Sequence, residues 1–177
     1  WSSDVCSSDL SPMTTQQLVE ILKRHEKFVR GQAGGIRADM RDQSFASLKL
    51  SSLNLRNATL ARADFSNCGL VNADFRFADL FMAVFDTADL TGANFEGADL
   101  RGASFRNATL SGARLSGADL RAGVTMGVER SQRSDLSGAK MESSNLDSAR
   151  LAGANLASAS LQKASLRKTT MPKVDLR

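Results

Sequence analysis

From residue 40 onward, every fifth residue is large and apolar. The series runs Met40, Phe45, Leu50, Leu55, Leu60, Phe65 and on to Leu120, 17 positions without a miss. After a break it resumes one residue out of phase at Leu136 and runs through Met141, Leu146, Leu151 and Leu156 to Leu176. Two residues before most of these stands a small residue, usually Ala, as at Ala58, Ala63, Ala73, Ala78 and Ala83, and Asp or Asn often fills the position between. A period of five fits neither a helix, at about 3.6, nor a strand, at about 2. It predicts a coil that turns a corner every five residues. The large residue and the small one two before it lie on the same side of an extended segment, so both point inward and the remainder face water.

The number of sides follows from the phenylalanines. Phe45, Phe65, Phe85 and Phe105 are spaced by 20, as are Phe75 and Phe95, while Leu50, Leu70, Leu90 and Leu110 form a pure leucine series. A coil of 20 residues sorts these into four columns, whereas a three-sided coil would mix Phe and Leu in each. Four sides are therefore expected, with the Phe-bearing sides opposite each other and their rings stacked through the core.

The unit just described resembles that of the bacterial pentapeptide-repeat family, written A-(D/N)-L-x-x. The stretch ADLTGANFEGADLRGASF, residues 88 to 105, is close to ideal, and the resemblance covers about four-fifths of the chain. It implies an all-β solenoid, a right-handed quadrilateral (four-sided) β-helix, here with an N-terminal capping α-helix. Most members of the family have no known chemistry. A subset binds DNA topoisomerases through an acidic, rod-like surface that resembles a DNA duplex.

The lead-in reads as that capping helix. Leu18, Ile21, Leu22, His25, Phe28 and Val29 fall at helical spacing on one face, and Thr14 with Gln17 makes a capping box. An amphipathic helix there covers the open core and exposed edge of a first coil. Residues 1–10, WSSDVCSSDL, resemble an in-frame translation of a sequencing-library adapter, so residues 1–12 are set aside as a non-native leader. Residues 13–35 are assigned to the helix cap and 36–177 to the β-helix, with an irregular bulge or loop at 121–133. Within that break Val124, Thr125 and Met126 read as one imperfect unit, an extra residue near Gly123 accounting for the change of phase. This predicts 28 pentapeptides, or about seven coils stacked over about 34 Å. The repeats run to Arg177 without a covering element, so a fragment of a longer protein is expected.

Composition narrows the chemistry. The chain of 177 residues carries a formal charge of +4, which becomes +6 without Asp4 and Asp9 of the leader. No apolar run is long enough to span a membrane. With Cys6 set aside, Cys68 has no partner for a disulfide, and it occupies an inward position that Ala usually holds. His25, the one histidine, lies on the apolar face of the helix, which excludes a two-His metal site or a His-dependent triad. No phosphate-binding loop is present. Asp39, Asp79, Asp99 and Asp119 share a column, but Arg41, Arg101 and Arg121 run beside it, and a flat face lacks a cleft to desolvate carboxylates.

Two surface features stand out. Phe77, Phe81, Met82 and Val84 occupy positions that should point outward, with Arg62, Arg76 and Arg101 nearby, a pattern suited to a protein contact. Arg150, Lys163, Arg167, Lys168 and Lys173 form a basic stretch free of acids, without the interleaved aromatics that nucleic-acid binding needs. The expectation is a non-enzymatic interaction or scaffold module of the bacterial cytoplasm, secretion being left open because residues 1–12 are set aside as non-native. It has an unknown protein partner, no cofactor, no metal and no small-molecule substrate. A homodimer through an open solenoid end is a candidate contact. The alternative is a DNA mimic acting on a type II topoisomerase, disfavoured by the positive charge.

Overall fold

The structure, a computed structural model, describes residues 13–125 and 131–177. Parallel bridges join residues 20 apart, as Asp39 with Thr59, Ser44 with Asp64, Lys49 with Gly69 and Asn54 with Asp74, and each continues down its own side. Twenty residues therefore make one coil of four sides. Side 1 carries the inward residues Met40, Leu60, Leu80, Leu100 and Leu120; side 2 carries Phe45 to Phe105; side 3, Leu50 to Leu110; side 4, Leu55, Phe75, Phe95 and Leu115.

Each corner is a β-turn closed by backbone: the Ala58 N–H donates to the Leu55 carbonyl at 3.0 Å, and the Ala63 N–H to the Leu60 carbonyl at 3.0 Å. The third turn residue is left-handed, at φ 62° for Asn57 and 59° for Arg62, as a type II turn requires. The Asp or Asn before each inward residue serves the same corner. The Asn54 Oδ1 accepts from the Arg56 N–H at 3.2 Å and the Asp74 Oδ1 from the Arg76 N–H at 3.0 Å. The pentapeptide is thus a turn and its side-chain support, repeated.

The core runs down the axis. Rings of one column stack at 4.9–5.1 Å, as Phe65 on Phe85 and Phe75 on Phe95, and rings of the opposite columns meet edge to face at 5.6–5.8 Å. Both arrangements suit the ring quadrupole. The small inward residues, such as Ala73, Ala83 and Ala93, are fully buried and leave the rings their space.

Helix α1, Thr15–Val29, begins at a capping box in which the Thr14 hydroxyl accepts from the Gln17 N–H and the Gln17 side chain accepts from the Thr14 N–H. Met13, Leu18, Ile21 and Leu22 pack against the buried cluster of the coils. His25 is fully buried, and its Nδ1 accepts from the Ala38 N–H at 3.1 Å, tying the helix to the strand that opens the first coil. Phe28 stacks on His25 with centroids 5.8 Å apart and stays partly exposed at the edge of the apolar face. Among the described residues no helix is long and apolar enough to cross a membrane.

The break differs from expectation. Ser104 bridges Asp135 and Asp119 bridges Arg150, pairs 31 residues apart rather than 20, so 11 residues leave the coil instead of one being inserted into it. Val124 and Thr125 belong to no coil side, and Met126 lies outside the described residues. Gly123–Val124 (β1) instead pairs antiparallel with Ser131–Gln132 (β2). The 17 pentapeptides before the break are followed by nine, from Leu136 to Leu176, and not by the 11 that made up the expected 28. The physical reason is register. An odd residue inside a side would turn inward residues outward, whereas an excursion at a corner leaves every side intact.

Candidate interaction surface

Side 1 carries the most differentiated outward chemistry. Asp39, Thr59, Asp79, Asp99 and Asp119 stand above one another in the bridge ladder. Two residues beyond three of these acids is an arginine that grips its carboxylate with two nitrogens: Arg41 on Asp39 at 2.9 and 2.6 Å, Arg101 on Asp99 at 2.8 and 2.6 Å, and Arg121 on Asp119 at 2.8 and 2.7 Å. The Arg41 bond holds the Asp39 carboxyl below its usual range. At Asp119 burial pushes the carboxyl up, but the bonds from Arg121 outweigh it and the net displacement is downward. Asp79 has Phe81 where the others have arginine. Its carboxylate accepts the Phe81 N–H at 3.2 Å, and no cation of the described residues forms an ion pair with it.

The apolar residues singled out in the sequence divide between two corners. Phe77 and Phe81 share side 1 with Asp79, because the intervening Ala78 and Leu80 point inward and are buried. Phe77 stands at the corner from side 4 with 50% of its surface exposed. Its φ is 56°, and its ring lies over Gly97 of the next coil, where a Cβ would come within 2.6 Å of the ring. The Arg56 guanidinium lies 5.6 Å from its centroid. Phe81 is half-buried, with the Arg101 guanidinium 5.5 Å from its centroid. Met82, at the corner to side 2, has φ 56° and leans on Gly102. Val84 lies round that corner on side 2, bridged between Asp64 and Ser104.

The described ends of the break, β1 and β2, seat themselves on this surface, which the sequence did not reveal. Gly123 presses against Phe81 and Met82: a Cβ there would lie 3.0 Å from the Phe81 Cε2, 3.0 Å from the Arg101 carbonyl oxygen and 3.2 Å from the Met82 Cε. The Gln132 side chain donates to the Gly102 carbonyl at 2.7 Å. Phe81 and Met82 are thereby the floor beneath β1, while Phe77 stays open at the other corner. The readable signal was the replacement of Asp-Leu-Arg by Asp-Leu-Phe at residues 79–81.

The basic residues stand on the last coils. Lys163, Lys168 and Lys173 occupy left-handed corner positions on three successive corners, at φ 59°, 57° and 58°. Arg150 reaches Asp119 on side 1 at 3.6 Å, and the Arg167 N–H donates to Asp147 at 2.8 Å. The Arg167 bond is made by the main chain, so Arg150 is the one member of this stretch whose side chain forms an ion pair among the described residues.

Nucleophile chemistry is poorly placed here. Cys68 is buried, burial pushes its thiol up, and the thiol donates to the Phe45 carbonyl at 2.8 Å. Among the described residues no group of His, Cys, Asp and Glu is arranged to hold a metal ion. A hollow lined by Met13, Gln17, Ile21 and Gln43 lies along α1, away from side 1.

Residues 49–86, 83–121 and 134–172 match the family described as pentapeptide repeats, in 8 copies. No curated protein sequence matches the chain. Among solved structures, two trypsin-treated variants of QnrB1, a plasmid-mediated fluoroquinolone resistance protein, superpose with a TM-score of 0.53 at 16% identity. Each match covers 80% of this chain, and 82% and 86% of the respective QnrB1 chains. Rfr23, a pentapeptide-repeat protein from the cyanobacterium Cyanothece 51142, matches with a TM-score of 0.45 at 18% identity, covering 90% of this chain and 99% of its own.

Proposed function

Since the chain belongs to the pentapeptide-repeat family and carries a half-exposed aromatic on an otherwise flat coil, we propose that it is a non-enzymatic protein-interaction module. In this reading the right-handed quadrilateral β-helix of 36–177 is a rigid display, and 13–35 is its cap. Side 1 around Phe77 receives a protein partner in the bacterial cytoplasm.

The observation that carries it is Phe77 itself. The left-handed corner position costs a non-glycine residue roughly 1–2 kcal/mol. Corners elsewhere mostly hold Gly, Asn or Ser, as at Gly97, Asn107 and Ser143. A bulky apolar side chain kept there, half in water, gains nothing from the core. Strain of that kind gathers at functional positions, and an exposed aromatic rimmed by arginine is the composition of an interface centre.

The family resemblance also brought in a DNA-like surface. Side 1 does not favour it, because three of its four aspartates are neutralised by their own arginines. A duplex presents about one phosphate charge per 1.7 Å; this column presents at most one carboxylate per coil, about every 4.8 Å. The likeness to QnrB1, at 16% identity, supports the fold alone.

The test is site-specific photo-crosslinking in the producing cell, with the reactive residue at position 77 and, as control, at Thr91 on side 3. A discrete adduct from 77 and none from 91 supports the reading. The same adducts from both positions, or none from either, would refute it.

A further inference from the structure

We propose that Phe77 and Asp79 form a docking site for an arginine side chain presented by a protein partner, with Asp79 as its counter-ion and Phe77 as its platform. The proposal rests on the interaction reading above and names the chemistry that side 1 recognises.

The ladder supplies its own comparison. Asp39, Asp79, Asp99 and Asp119 occupy one column, each two residues before an outward position of the same side. Three are closed by an internal guanidinium, and at Asp79 the residue that would supply it is Phe81. The remaining acceptor capacity of that carboxylate faces outward. Phe77 stands at the corner two residues before it and stays open, while Phe81, two residues beyond it, lies beneath β1.

The two rings already bind this group within the chain, Arg56 lying 5.6 Å from one centroid and Arg101 5.5 Å from the other. Phe77 keeps half its surface for a further contact. Below it on the same corner stand Gly97 and Gly117, and a Cβ at Gly117 would meet nothing within 4 Å, so a partner's main chain has flat ground to approach.

Arginine fits better than lysine, because its planar group both stacks on a ring and offers two parallel donors to a carboxylate. Nucleic acid is the wrong partner, since its phosphates would meet Asp79.

The experiment is an NMR titration of the full chain with N-acetyl-arginine amide. The amides of residues 77–82 should shift, with half-saturation at about millimolar ligand and weakening with added salt. Asp79→Asn keeps the turn bond, as Asn54 and Asn94 do in their own corners, and removes the charge. It should weaken binding about threefold to fivefold. Phe81→Arg supplies the missing internal cation and should abolish the response. The exposed Asp89 on side 3, with no aromatic beside it, is the internal control. Equal shifts around Asp89 and Asp79, or unchanged binding in Asp79→Asn, would overturn the proposal. If the adduct from position 77 persists in Asp79→Asn, arginine recognition fails while the interaction surface stands.

Discussion

The Ser134 hydroxyl lies 3.0 Å from the carbonyl oxygen of Arg121, 13 residues earlier in the chain, and closes the point where the excursion leaves and re-enters the coil. The Ser134 Oγ also accepts from the Gly102 N–H at 3.0 Å and lies 3.1 Å from the Leu100 carbonyl oxygen. Ser134 is fully buried at the inward small position before Leu136, where Ala would serve any ordinary unit. Replacing it should therefore be felt although the volume hardly changes. Ser134→Ala is expected to destabilise by about 1–3 kcal/mol, read as a lower midpoint in thermal denaturation followed by circular dichroism. An unchanged midpoint would show that the hydroxyl is dispensable to closure.

The phenylalanine columns make a second prediction. Phe85 stacks on Phe65 and Phe105 and meets Phe75 and Phe95 edge-on. Phe85→Ala should cost about 3–5 kcal/mol. Phe77→Gly removes a ring of the same size from the outside and relieves the left-handed corner, so it should leave stability unchanged or raise it by about 1 kcal/mol. Chemical denaturation of the two variants separates the inward ring from the outward one; similar losses would contradict the assignment.

Gly123 tests the seat of β1. A methyl group there meets the Arg101 carbonyl and the Phe81 ring at 3.0 Å. Gly123→Val should lift β1 from side 1 while leaving the core intact. Limited trypsin digestion would then cut faster after Arg121 and Arg133, with the melting midpoint little changed. Unaltered cleavage would mean that the seat tolerates the side chain.

His25 predicts a pH dependence. Burial lowers its pKa below the ordinary 6.5; Glu26 acts to raise it and Arg37 to lower it, with burial dominant. The folded state therefore binds this proton less readily than the unfolded one. Stability is complete above about pH 6.5 and falls as pH drops through the lower folded value. Protonation would also turn the Nδ1 that accepts from Ala38 into a donor, so the loss should centre on α1 and the first coil. The chain has no other histidine, which isolates the effect from the carboxylates that titrate lower. Hydrogen exchange at pH 7.5 and 5.5 should show faster exchange in 15–29 at the lower pH after correction for intrinsic rates, and His25→Asn should flatten the difference.

How much the sequence alone determined follows from where its constraints are local. The inward series from Met40 to Leu120, the Ala two residues before most of its members, and the four columns of 20 were legible, because a coil repeats one solution to burial at every corner. The capping box of Thr14 and Gln17 was legible for the same reason, being a contact between near neighbours. The path at 121–133 was not. A one-residue change of phase is equally consistent with one extra residue or with 11, and only the pairing of Asp119 with Arg150 decides between them. Phe77, Phe81 and Met82 were identified as outward, but that Gly123 would press on two of them and leave the third open depends on β1, about 40 residues later in the chain, packing on side 1. That Asp79 forms no ion pair among the described residues was half-written as Asp-Leu-Phe. It became a finding only when the ladder placed Arg41, Arg101 and Arg121 on their own aspartates. Local periodicity encodes the coil, whereas contacts across coils, where surfaces acquire their chemistry, exist only once the coils are stacked.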